Sequence, residues 1–272
     1  MRFRAHRPGP ALSRFIDYLW SLSDAPAHAR ERIFPSGTLE LVVNLAEDAF
    51  RISCAPASGG SLGRFPGAIV SGCYAAPFEI DTRAHASIVG VHFKPGGAAA
   101  FLGVPPGKLA DSHLALDELW GPRAFELRER LCLASSWSEQ ARILEQILSD
   151  QLARGRAPRR AVAPSLVALE RPRAEVGSVA RELGLSHRRF IELFSEDVGM
   201  TPKRYARARR FQRALAMAKG SSAPGWTEIA LACGYFDQAH LCREWVELTG
   251  VSPSKFAASS DRRVKDNHLA LG

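Results

Sequence analysis

The chain has 272 residues, 46% hydrophobic and 24% charged, which suits a globular protein with room for two domains. No apolar run nears the roughly 18 to 20 residues that span a bilayer, and the basic stretch Met1 to Pro8 has no apolar segment behind it, so a cytoplasmic location without anchor or secretory signal is expected. The net charge of +8 is unevenly placed: residues 1–155 carry 16 basic and 16 acidic side chains, residues 156–272 carry 20 and 12, so only the second half suits a polyanion.

Charge alone fits nucleic acid, acidic protein and membrane surfaces alike. Cys54, Cys73, Cys132, Cys233 and Cys242 are odd in number, widely spread and free of C-x-x-C pairs, and are expected as free thiols.

In chain order, β-branched runs come first. Leu39 to Leu45 and Ala86 to Phe93 read as strands, with Pro35-Ser36-Gly37 before the first and Pro95-Gly96-Gly97 after the second. Ala68 to Gly72 and Phe78 to Thr82 read as shorter strands between them. From about Ala98 the pattern turns helical, over Leu114 to Trp120, Pro122 to Ala134 and Glu139 to Ala153. The first half is therefore predicted as α+β, an antiparallel sheet or open barrel followed by helices. The Pro/Gly-containing stretch Gly155 to Arg160 marks a boundary. Beyond Pro158 no strand is expected, only helices, ending in a polar tail from about Ser259. The predicted division is 1–155 for effector binding or dimerisation, 156–258 for an all-α unit, and 259–272 for a disordered tail.

The first half offers no catalytic motif. It has no G-x-S-x-G elbow, no H-E-x-x-H and no phosphate loop, since Pro95-Gly96-Gly97 lacks the Lys-Ser/Thr that a phosphate loop needs. His85 and His92, seven residues apart, fall on opposite faces of the predicted strand, with no carboxylate or Cys partner at coordinating spacing. No enzyme activity, metal or cofactor is expected.

The second half contains an internal repeat. Val179-Ala180-Arg181-Glu182-Leu183-Gly184 is followed by Phe190, Phe194, Gly199, Thr201-Pro202 and Tyr205. Ile229-Ala230-Leu231-Ala232-Cys233-Gly234 is followed by Leu241, Trp245, Gly250, Ser252-Pro253 and Phe256. The offset is 50 residues up to the glycine and 51 after it, so the second turn holds one extra residue. Small Ala180 and Ala230 let helices approach, and Gly184 and Gly234 stand where a helix must end in a sharp turn. Phe190, Leu193, Phe194 and Val198, and again Leu241, Trp245 and Leu248, make a buried helical stripe. Ser186 and Asp237 are placed as N-caps, and Thr201-Pro202 and Ser252-Pro253 join a capping hydroxyl to a first-turn proline. Two short helices around a Gly-containing turn make a helix-turn-helix, whose second helix enters the major groove.

Between the copies, Pro202 to about Lys219 carries Tyr205, Ala208, Phe211, Leu215 and Ala218 on one face and Lys203, Arg204, Arg207, Arg210 and Arg213 on the other. Such a helix is ~26 Å long and could hold two recognition helices about one DNA turn apart, ~34 Å. Its basic face is either simply solvated or makes phosphate contacts, and the position between two reading heads favours the latter.

Gly234 to Trp245, followed by Leu248 to Phe256, resembles the signature of the AraC/XylS family of bacterial transcription regulators, over about residues 160–258. Trp245 stands where the family usually has Phe, and Gly220 to Gly225 forms a linker before the second unit. The resemblance implies two helix-turn-helix subdomains joined by a long helix on double-stranded DNA, and RNA polymerase as a partner. Of the exposed positions on the two second helices, it implies base-reading roles for Arg188, Arg189, Ile191, Glu192, Gln238, Ala239, His240, Cys242 and Arg243. It implies phosphate contacts for Thr201, Lys203, Arg204, Arg207, Arg210, Ser252 and Lys255. Arg188 and Arg243 suit guanine, Gln238 suits adenine, and Ile191 and Ala239 suit thymine methyls. Glu192 either accepts from cytosine or pairs with Arg188 at i, i+4, the pair being favoured.

Glu31 to Leu41 and Gly90 to Ala98 resemble the sensory domain that precedes this unit in a subset of AraC-like regulators, over about residues 10–150. That implies a β-rich domain binding an unidentified small-molecule effector, or forming a homodimer. A first half that binds a protein partner, and an enzyme fused to a DNA-binding module, are the other readings.

Overall fold

The computed structural model describes residues 2–24, 28–53, 62–155, 162–172, 174–220, 223–258 and 267–271. Its first half builds two open, wholly antiparallel sheets. One sheet has the order β1 (Arg2–His6), β2 (Ile16–Ser23), β9 (Ser87–Phe93), β4 (Glu40–Asn44), β7 (Ala68–Ser71) and β10 (His113–Ala115). The other has β11 (His268–Leu271), β3 (Arg30–Ile33), β8 (Phe78–Asp81), β5 (Phe50–Ser53) and β6 (Gly63–Phe65). The four predicted strands are present as β4, β7, β8 and β9. His85 lies before β9 rather than on it, because the strand begins at Ser87. The helix predicted from Leu114 starts at Leu116, after β10 has paired with β7.

Side-chain alternation explains the layering. Leu19, Leu41, Val43, Val70, Val89 and Val91 project from the first sheet into one core with the helices. Their neighbours Trp20, Val42, Ile69 and Ile88 project the other way, toward Ile33, Phe50, Ile52 and Phe78 of the second sheet. A sheet buried on both faces needs such near-continuous apolar runs, which β4 and β9 supply. Helices α1 (Leu116–Trp120), α2 (Pro122–Leu133) and α3 (Trp137–Arg154) cover the outer side of the first sheet. In the inter-sheet layer the His113 ring lies 4.8 Å from both Tyr74 and Phe78 and 5.4 Å from Phe65. Neither ring nitrogen has a hydrogen-bond partner, and burial lowers its pKa to about 4, so it is neutral at pH 7.

The second half is helical, with α4 (Val162–Leu169), α5 (Val176–Glu182), α6 (His187–Val198), α7 (Pro202–Lys219), α8 (Trp226–Cys233), α9 (Gln238–Thr249) and α10 (Pro253–Ala258). The expected boundary at residues 155–156 borders 156–161, which lie outside the described residues, as does Cys54. Cys73, Cys132, Cys233 and Cys242 are free thiols. No helix among the described residues is long and apolar enough to cross a membrane.

The expectation of a disordered tail, and of no strand beyond Pro158, is corrected. His268–Leu271 is β11, paired residue for residue with β3, so that His268 faces Ile33 and Leu271 faces Arg30. Glu31 of β3 lies between His268 and His28, at 2.6 and 2.7 Å. Burial by itself raises the Glu31 carboxyl, but the hydrogen bonds and charges of His268 and His28 outweigh it and hold it at about 2. The tail looked polar because its apolar residues are few beside a run of charged and polar ones, and of them Leu269 is buried.

That residue enters a second core. Leu269 joins Phe34, Phe211, Leu215, Ile229, Ala230, Leu241, Trp245, Leu248 and Phe256. Phe34 follows β3, is 1% exposed, and meets the Phe211 ring edge-on at 5.9 Å. Residues from both ends of the fold thus complete the core of the second helix-turn-helix. Removing a buried phenyl ring costs about 3–5 kcal/mol. Phe34→Ala should therefore destabilise the second unit by that amount, measured by chemical denaturation followed through the fluorescence of Trp226 and Trp245. Unaltered unfolding would show that the helical unit stands without the strand.

Candidate nucleic-acid interface

The two repeats fold as predicted. α5 and α6 form the first unit and α8 and α9 the second, and the linking turns pass through Gly184 and Gly234 at φ 67° and 82°. A side chain there would meet the left-handed penalty. The Ser186 and Asp237 side chains accept the backbone N–H of Arg189 and His240, capping α6 and α9. Thr201 caps α7 through Arg204 N–H, and Ser252 accepts from Lys255 N–H. Phe190, Phe194 and Val198, and Leu241, Trp245 and Leu248, are buried as their spacing requires, while Leu193 is half-buried.

Both recognition helices are gripped at their C-terminal ends. For α6, the Cys73 thiol donates to Val198 O at 3.2 Å. The 3-10 turn Pro106–Leu109 lies against it so closely that a side chain on Gly107 would meet Ser195 O. Ser195 is therefore a junction residue, not an exposed one. For α9, Arg32 of β3 donates through Nη1 to Thr249 O at 3.0 Å, while Glu79 on β8 holds its Nη2 at 2.7 Å. A cation at a helix C-terminus is favoured by the helix dipole. Gln212 in α7 donates to Pro35 O at 2.7 Å, beside the same strand.

The N-terminal turns remain open. His187, Arg188, Arg189 and Glu192 are exposed in α6, and Gln238, Ala239 and Arg243 in α9; Ile191 is half-buried. The expected intrahelical pair is present, with Arg188 Nε 3.0 Å from Glu192 Oε1 and Arg189 at 3.5 Å, and it lowers the Glu192 pKa. Gln238 Oε1 accepts from the Thr227 hydroxyl at 2.7 Å, which leaves its amide NH2 outward-facing work to do as donor. Two predicted base readers, His240 and Cys242, are half-buried. His240 accepts Phe236 N–H at 3.3 Å and packs edge-on to Tyr235, and Cys242 packs on the second core.

The basic face of α7 needs the larger correction. Arg210 donates to both oxygens of Glu244, at 3.2 and 2.6 Å, and lies 4.7 Å over the Tyr235 ring. Arg207 pairs with the same carboxylate at 3.2 Å and with Glu247. Arg209 bonds Glu170 at 2.8 Å, and Arg204 bonds Asp111 across the domain junction at 3.2 Å. Arg207 and Arg210, assigned to phosphates from the sequence, thus hold α7 to α9. Lys203 and Lys255 stand exposed in the first turns of α7 and α10.

Sequence reasoning missed Glu244, Arg32 and Phe34. Glu244 had a signal: it lies inside the apolar stripe Leu241, Trp245, Leu248 and is 6% exposed, so it needed buried partners. No group of His, Cys, Asp and Glu among the described residues is arranged to hold a metal. His92 instead bonds Glu40 at 2.7 Å and stacks on Tyr18.

Residues 179–259 match a family described as a helix-turn-helix domain, and residues 4–115 match a domain of unknown function, DUF6597. An uncharacterized HTH-type transcriptional regulator of Haemophilus influenzae is 33% identical over 75 residues, which are 28% of this chain and 25% of that protein. The match thus spans only a quarter of the relative's length. Among solved structures, an AraC-type transcriptional regulator from Chromobacterium violaceum is 25% identical over 38% of this chain and 89% of its own, with a TM-score of 0.33. ToxT from Vibrio cholerae is 10% identical over 94% of this chain and 98% of its own, with a TM-score of 0.48. The chain thus carries a helix-turn-helix domain at its C-terminal end, similar to those of AraC-type regulators, and a β-rich domain of unassigned function before it.

Proposed function

We propose that the chain is a sequence-specific DNA-binding transcription regulator reading two adjacent major-groove segments with α6 and α9. The observation that carries this is the polarity of the grip: both helices are held by their C-terminal ends and leave their N-terminal turns open. Those turns are what a helix-turn-helix presents to base edges. Base reading falls to Arg188, Arg189, Ile191, Gln238, Ala239 and Arg243, and phosphate contact to Lys203, Lys255 and the hydroxyls of Thr201 and Ser252. The units differ at nearly every exposed position, so one chain recognises an asymmetric site. RNA polymerase and a second copy of the chain complete the set of partners in this reading.

The β-rich domain is assigned a small-molecule effector. Support comes from the inter-sheet layer, where aromatic rings surround the neutral His113 with a donor and an acceptor unused. A small ligand with an apolar body and one polar group fits that chemistry. Thermal unfolding against a metabolite panel should show a shift with one compound class, lost in His113→Ala; turnover of a compound would instead favour an enzyme.

Two binding measurements test the DNA interface. Arg243→Ala should cost roughly 1–3 kcal/mol at the selected site and relax preference at one base; an equal loss on all sequences would make Arg243 a phosphate contact. Lys255→Ala should lower the salt dependence of binding by about one phosphate contact, whereas Arg210→Ala should leave that slope unchanged and lower thermal stability instead. A reduced slope in Arg210→Ala would restore it to the phosphates.

A further inference from the structure

The two helix-turn-helix units differ by one residue in the turn, and hydrogen bonds identify it. In the first unit Leu185 N–H donates to Ala180 O at 3.0 Å, and the next residue, Ser186, caps α6. In the second, Tyr235 N–H donates to Ala230 O at 2.9 Å, but the cap of α9 is Asp237. Leu185 therefore corresponds to Tyr235 and Ser186 to Asp237, and Phe236 has no counterpart.

The inserted residue is an aromatic 79% exposed, directly after the fully buried Tyr235. The core closes without it, since Leu241, Trp245, Leu248 and Phe256 are all buried. Its backbone is held in place, with its N–H bonded to the His240 ring at 3.3 Å. Isolated apolar side chains are ordinary on a protein surface. This one is set apart by its place, immediately before the open N-terminal turn of α9 with exposed Gln238 and Ala239 beside it. A phenyl ring offers nothing to phosphates or to hydrogen-bonding base edges. The one apolar group on the major-groove floor is the thymine C5-methyl.

Resting on the DNA-reading function above, we infer that Phe236 is a specificity-determining residue of the second unit. Its ring packs on a thymine methyl at the edge of the segment read by α9. The first unit has no residue at the corresponding place.

The test uses the full chain and duplexes it enriches from a random pool. Each thymine of an enriched site is replaced singly by deoxyuridine, which lacks only the C5-methyl. At one thymine the native chain should bind the demethylated duplex roughly four-fold more weakly, the worth of burying about one methyl. Phe236→Ala should bind both duplexes equally at that position, with unchanged thermal unfolding, and Phe236→Leu should keep the discrimination. The inference is overturned if the native chain is indifferent to demethylation throughout the site. It is equally overturned if Phe236→Ala discriminates as the native chain does. Failure of the native chain to enrich any sequence would overturn the DNA-reading function, and this inference with it.

Discussion

The second helix-turn-helix depends on one strand belonging to two cores at once. Ile33 of β3 faces the inter-sheet layer, while Arg32 and then Phe34 face the other way into the second helix-turn-helix. A four-residue strand with alternating faces is rigid along its length, so the two cores cannot be displaced independently. Any change in the inter-sheet layer that moves Ile33 must move the guanidinium at the C-terminal end of α9. The first head is tied differently, through Cys73 and the Pro106–Leu109 turn, to the helix-side core. The β-rich domain therefore holds each head from a different layer, and their relative placement follows from the packing between its own two sheets.

The long helix α7 works within that constraint. Its length sets the spacing of the units, but its arginines set their orientation. Glu244 is shared by Arg207 and Arg210, and Glu170 by Arg209 and the Tyr205 hydroxyl, at 2.8 Å each for the last two. Burial and the neighbouring carboxylate push the Tyr205 pKa upward, so the phenol stays a donor. Partly buried pairs of this kind fix geometry more dependably than they add stability. Charge that looks like a footprint for DNA is, over most of α7, internal structure, while Lys203 in its first turn and Lys255 in α10 stand exposed.

The helical half was legible because its rules are local. A cap, a glycine at positive φ and a stripe at i, i+3, i+4 lie within a few residues of one another, and the start of α7 follows from Thr201-Pro202 alone. The β-rich half was legible where strands were apolar on both faces, as in β4, β7 and β9, or alternated cleanly, as in β8. β2, with Asp17, Ser21 and Ser23 among its aromatics, and the three-residue β6 and β10 carry no period strong enough to read. β3 and β11 are short, mixed in polarity and more than two hundred residues apart, so no window of sequence holds their pairing. The same limit misread the arginines: periodicity says which face a side chain occupies, not what stands opposite. Only the carboxylate of Glu244, odd within its stripe, hinted at the partner.

The pairing of β3 with β11 carries a further consequence. The whole helical half lies, along the chain, between two strands that are neighbours in one sheet. In topological terms the DNA-binding unit is a loop insertion in the edge of the β-rich domain rather than a bead strung after it. Closing so long a loop is entropically slow, and during synthesis the sheet edge must wait, unpaired, until the second reading head has been made. A severed linker between the halves would still leave them joined at this seam.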